Sequence, residues 1–126
     1  MSEYRTKPVN RPLLLAELAA VCEVLSSKDI GSASVSFGLD SNLSIEQMWK
    51  AQAVAVKDIC SFIANSESTG IVRVGSADIF VETPGFLFTL CHEGDAHVKG
   101  DSSLVTHFVH RWEALHYDPY EVQNRV

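Results

Sequence analysis

What this chain lacks narrows it before anything it contains does. No stretch of its 126 residues approaches eighteen consecutive apolar side chains, so no membrane-spanning helix is expected. The opening MSEYRTKPVN carries no apolar h-region, so no signal peptide is expected either. Its cysteines, Cys22, Cys60 and Cys91, are scattered and odd in number, which excludes a disulfide framework. They read as buried free thiols of a reducing, cytoplasmic compartment. The seven glycines are dispersed, with no GxGxxG and no GxxxxGK[ST], so no phosphate-cradling loop is present. Basic charge is also short. Ten Lys and Arg face 16 Asp and Glu, a net charge of −6, and from Pro12 onward 7 basic residues oppose 15 acidic ones. Such a body repels phosphate backbones, which argues against nucleic acid as a partner. Arg5, Lys7 and Arg11, at about 1 kcal/mol each, are too few to hold the chain on a membrane surface.

What remains is an ordinary globular composition, 46% hydrophobic and 21% charged, sized for one domain with one core. Residues 1–9 read as a mobile polar tail, 10–117 as a single α+β domain and 118–126 as a C-terminal tail. Asn10 caps a helix with Pro12 in its first turn, and Leu14, Leu15, Leu18, Val21 and Cys22 follow at helical spacing. That helix either runs to Leu25 or stops near Ala20 and leaves 22–26 as a strand; the pattern keeps both open. Ala33, Val35, Phe37 and Leu39 alternate with Ser32, Ser34, Ser36 and Gly38, a strand with one buried face.

Ser44 with Gln47 forms a capping box, and Leu43 with Met48 its hydrophobic staple. The spacing then predicts one long helix over 44–65, through Ile45, Trp49, Gln52, Val56, Ile59, Cys60 and Ile63. Adding Met48, Ala51, Ala55 and Phe62 widens its apolar arc to roughly 200°, where one core needs little more than 100°. The surplus points to a second subunit or to deep burial within the domain. From Gly70 the pattern changes to strands over 71–74, 79–83, 86–92 and 96–99. Pro84-Gly85 marks a type II turn, and Gly94-Asp95 a two-residue hairpin turn. A last helix, capped by Asp101 or Ser102, buries Leu104, Val105, Phe108, Val109, Trp112 and Leu115, and Asp118-Pro119 stops it.

All five histidines lie between His92 and His116. With a two-residue turn, His92 faces His97 across the hairpin, Cβ atoms about 4.5–5.5 Å apart, so the pair can share a metal ion. Zinc needs a third protein ligand, and that register sends Cys91 and Glu93 to the opposite face. The plainer reading is two polar side chains near a hairpin end. His107 and His110, at i and i+3, lack the glutamate of HExxH and read as a solvated helix face. Cys91 and His92, adjacent on a strand, cannot act as nucleophile and base. No catalytic residue and no cofactor site is expected.

Taken with 22–26 as a strand, the order α-β-β-α-β-β-β-α resembles the roadblock dynein light-chain family, which includes the small subunits of the Ragulator scaffold. The likeness of layout covers residues 11–115. It comprises RPLLLAELAAV, a KDIG turn, the exit Gly38-Leu39-Asp40, and the strands VRVGSADIFVETPGFLFTLCHEGDAHV. The resemblance implies a five-stranded antiparallel sheet with the long helix on one face and the terminal helices on the other. It also implies a non-enzymatic adaptor that dimerises through that helix and an edge strand. Met48, Ala51, Ala55, Phe62, Ile71, Val72, Arg73 and Val74 would then form the interface. By that analogy the chain is a scaffold subunit, a homo- or heterodimer serving a small GTPase or a motor complex. The short first strand and the tight 74–78 loop depart from the family's layout. Two further readings stand beside it: another protein-binding module, such as an immunity protein or secretion chaperone, and a metal-dependent enzyme built on His92 and His97.

Overall fold

A computed structural model describes residues 2–122; Met1 and residues 123–126 lie outside the described residues. Seven strands and three helices follow in the order β1 (Ser2–Arg5), α1 (Arg11–Ser27), β2 (Ser32–Phe37), β3 (Gln52–Ala55), α2 (Ile59–Ser68), β4 (Ile79–Thr83), β5 (Phe86–Leu90), β6 (Ala96–Gly100), α3 (Ser103–Ala114) and β7 (Tyr120–Glu121). The strands form one open antiparallel sheet in the order β3-β2-β4-β5-β6-β1-β7. The α+β class read from the sequence is what the chain adopts, with seven strands in place of five.

The differences are confined to particular segments. Residues 22–26 continue α1, because Val21 and Leu25 are buried at helical spacing with Leu14 and Leu18. Asn10 caps this helix, its side chain accepting from the Leu13 N–H. The long helix expected over 44–65 is absent. One turn does form after Ser44, with the Gln47 and Met48 N–H groups bonded to the Ser44 carbonyl at 2.9 and 3.0 Å. Trp49 then takes a left-handed conformation, φ 61°, and gives its N–H to the Phe37 carbonyl at 2.7 Å. That tertiary bond ends the turn. Gln52–Ala55 leave as strand β3 along β2, and helix resumes only through Val56–Asp58 into α2. Residues 71–74 are likewise no edge strand; Val74 makes a single bridge to Ala77.

The segment read as an N-terminal tail supplies β1, inserted between β6 and β7. Thr6 follows it into the interior, its hydroxyl accepting from the Ala96 N–H. The segment beyond residue 117 contributes β7.

All three helices lie on one face of the sheet, not on both. The inward side chains Val35, Val81, Phe88 and Val98 join Leu18, Ile63, Phe108 and Trp112 in one core. Phe80 and Leu87, on the opposite face of the same strands, are only partly covered and belong to no part of that core. Sheet and helices make two layers, and one sheet face is left bare of helix.

Two side-chain ties hold the helical layer. Glu17 on α1 is fully buried; its carboxylate accepts from Arg111 and from the Trp112 indole of α3. Glu67 at the end of α2 accepts from Arg11 at 2.7 Å and from the Val74 N–H at 2.9 Å. Burial alone would raise the Glu67 carboxyl. The Arg11 and Val74 bonds outweigh it and hold the group below its ordinary 4.5. A carboxyl lowered on folding contributes stability that is whole above the unfolded value and is lost as pH falls through the folded one. Glu67→Gln is therefore expected to lose less stability than wild type as pH falls through and below the ordinary carboxylate value, measured as the shift in urea midpoint.

Candidate functional site

The bare face of the sheet carries the chemistry. Cross-strand register places Ser36, Phe80, Thr89, His97 and Arg5 in one row, and Ser34, Glu82, Leu87, Lys99 and Glu3 in the next. At the β5–β6 end the ladder continues one step, with the Cys91 N–H bonded to the Asp95 carbonyl at 2.8 Å. The hairpin loop is thus three residues, His92, Glu93 and Gly94, with Gly94 at φ 88°. A left-handed glycine closing a three-residue loop is a recurrent hairpin geometry.

That one extra loop residue corrects the register expected from the sequence. His97 pairs with Thr89, not with His92. Cys91, two residues beyond Thr89, and Asp95, two residues before His97, now share the face of His97, because strand side chains alternate. Asp78, one residue before β4, completes the row at this end. Five side chains able to bind a proton or a metal are gathered at one corner.

Each histidine sits on an aspartate. His92 Nδ1 lies 2.7 Å from Asp78 Oδ1, which also accepts the His92 backbone N–H at 2.8 Å. That hydrogen bond, with the charges of Asp78, Asp40 and Glu93, holds the His92 imidazole above its usual range despite some burial. His97 Nε2 lies 2.8 Å from Asp95 Oδ2. Burial by itself would raise Asp95, but the hydrogen bond and charge of His97, the Cys91 thiol and a backbone bond outweigh it, and the carboxyl stays below its usual range. Cys91 Sγ lies 3.8 Å from His92 Nδ1. Burial pushes this thiol up to about 12, with the charges of Asp95 and Asp78 adding to it against the Glu93 N–H. A thiol so raised is a poor nucleophile near neutral pH. The corner opens onto a cleft of about 310 Å³ that runs across the face past Phe80, Leu87, Arg5 and Lys99.

The β2–β3 loop borders the same face. Phe80 and the Trp49 indole crowd Gly38: a Cβ on that glycine would stand 2.7 Å from Trp49 Nε1 and 2.9 Å from Phe80 Cε2. Leu39, Ile45 and Trp49, all on this loop, are 49%, 84% and 51% exposed, three of the five large apolar side chains left exposed among the described residues.

The other singled-out residues are dispersed. His107, His110 and His116 are exposed, away from the corner. Met48 is half-buried in the turn and Ala51 exposed in the loop after it. Ala55 ends β3, while Phe62 on α2 stacks on Phe37 at 6.0 Å between ring centroids. Val72 and Val74 are buried, Ile71 is half-buried and Arg73 is exposed. Cys22 and Cys60 meet at 3.8 Å across α1 and α2. Sequence reasoning missed Asp78 and Asp95 as companions of the histidines and set Cys91 aside because of the two-residue turn it assumed. The period-two polar phase Asp95, His97, Lys99 was the signal that could have found the Asp95–His97 pair.

No protein-family model, no curated protein and no solved structure matches the chain.

Proposed function

We propose that this chain is a non-catalytic protein-binding module that docks a basic protein through the bare face of its sheet. One observation carries the reading. The helices cover one face only, and the other presents Phe80 and Leu87 among charged side chains, with exposed Trp49 beside them. Apolar and aromatic side chains inside a charged surround are the usual anatomy of a protein interface. Glu82 and Glu93 are exposed on this side, and the net charge of −6 steers a basic partner toward it. This is the work of an immunity protein or secretion chaperone rather than of a pocket enzyme. The dimeric scaffold with a small-GTPase or motor client needs the long helix for its pairing, so our reading moves the contact to the open face.

The test is a comparison of variants in affinity capture, followed by titration of the captured protein. Trp49→Ala and Phe80→Asp are expected to weaken binding of a basic partner by at least about 2 kcal/mol, roughly thirtyfold. His110→Ala, on the far side of α3, is expected to leave it unchanged. Binding that survives both open-face substitutions would sink the proposal. So would a tight dimer in light scattering that neither open-face substitution dissociates, which would place the contact elsewhere.

A further inference from the structure

We infer that Cys91, Asp95 and His97 form a binding site for one divalent transition-metal ion, with zinc the best chemical fit. The inference is independent of the docking proposal and rests on the corner's donors. A sulfur, a carboxylate oxygen and a ring nitrogen from these three residues all lie within 4.8 Å of one another. Ligands around a tetrahedral zinc, with bonds of about 2.0–2.3 Å, stand roughly 3.3–3.8 Å apart. Side-chain adjustments of about an ångström would seat the ion. Thiolate, imidazole and carboxylate together favour zinc over magnesium or calcium, which take oxygen ligands.

A second observation points to a ligand. Asp95 is 8% exposed, and among the described residues its buried Oδ1 has no hydrogen-bond partner of good geometry, with the Cys91 thiol beside the carboxylate. A buried carboxylate oxygen left unsatisfied is costly, and a cation between Asp95 and Cys91 would satisfy it. Asp78, Cys91 and His92 form a second trio around the same sulfur. Asp78 Oδ1, however, already accepts two hydrogen bonds from His92, and the His92 side chain is twice as exposed as that of His97, 28% against 14%. The Asp95 side is therefore the binding side, and Asp78 with His92 borders it. Arg5 feels the charge of Asp95, but its guanidinium is hydrogen-bonded to Glu3 at 2.7–2.8 Å.

Cobalt(II) is the probe, since a cobalt–thiolate bond gives a charge-transfer absorption that cobalt on nitrogen and oxygen alone does not. The close pair Cys22 and Cys60 is first replaced by serine, so that Cys91 is the sole thiol. One cobalt per chain with a sulfur band is expected, displaced by zinc. Cys91→Ser should abolish the band. Asp95→Asn and His97→Gln should each weaken binding at least tenfold, the effect of losing even a supporting residue of a metal site. His92→Gln should matter less than either. Circular dichroism confirms that each variant is folded, and zinc should raise the melting temperature of the parent but not of Cys91→Ser. Absence of a sulfur band in the folded parent, or a band unmoved by both Asp95→Asn and His97→Gln, would overturn the site. Loss through His92→Gln alone would also overturn it and assign the ion to the Asp78 side. The docking reading fails or stands separately, because its titrations run in the presence of a chelator.

Discussion

Arg111→Met is expected to destabilise the domain by about 3–5 kcal/mol, a large share of the stability of a chain this size. Glu17 has no exposed surface. Three contacts of 2.8–3.1 Å from the Arg111 guanidinium satisfy most of its carboxylate, and the Trp112 indole supplies the remaining one. Removing the arginine strands a negative charge in the interface between α1 and α3, which is worse than never having placed it there. The double replacement Glu17→Met with Arg111→Met should recover part of the loss, because no bare charge remains. It should not recover all, since the Trp112 N–H is then buried without an acceptor, a cost of about 1–3 kcal/mol. Urea unfolding of the wild type, both single variants and the double variant closes the cycle. Equal losses in Arg111→Met and in the double variant would show that packing, and not the stranded charge, dominates.

Gly100→Ala is the second substitution expected to act strongly, at about 4 kcal/mol or more. Gly100 sits at φ 141° where β6 ends, and a Cβ there would stand 2.0 Å from the Gly85 carbonyl oxygen and 2.7 Å from its carbon. Neither neighbour is a flexible side chain. The Gly85 carbonyl also accepts the Asp101 and Ser102 N–H groups at 3.1 Å, and the Ser102 side chain caps α3. Relief of the clash would therefore pull the β4–β5 turn away from the start of α3. Gly31→Ala is the control: a Cβ there meets nothing within 4 Å. It should be neutral or raise stability by about 0.4–1 kcal/mol through the unfolded chain. Gly100→Ala that unfolds at the wild-type urea midpoint would show that the turn yields freely.

Much of the fold was legible where one local signal acted alone. Asn10 and Pro12 start α1, the serine alternation marks β2, and Leu104, Val105, Phe108 and Trp112 line the buried side of α3. Legibility failed where a distant partner decides. The turn after Ser44 forms but goes no further, because the Trp49 N–H finds the Phe37 carbonyl. Residues 2–5 look like a tail until β6 and β7 offer edges on either side. The corner of histidines, aspartates and Cys91 turned on a single residue. A two-residue hairpin sends Cys91 away from the histidines and a three-residue one brings it among them. Strand periodicity alone cannot distinguish the two, since each preserves the alternation within its own strand.

The place of β1 in the sheet also bears on how the chain comes to be folded. Thr6, at the end of that strand, bonds Ala96 across 90 residues of sequence, and β7 then closes over β1 from the other end of the chain. β1, made before its partners β6 and β7, is among the last strands to find its neighbours. Contacts of such long range slow folding, because loop closure must precede their reward. On the ribosome, β2–β5 and the first two helices can assemble while residues 2–5 still wait for β6. Until then the edge of β6 stands open, and a second unfinished chain can offer its own β1 to it. Exchange of that strand between chains is the misassembly this topology invites at high rates of synthesis.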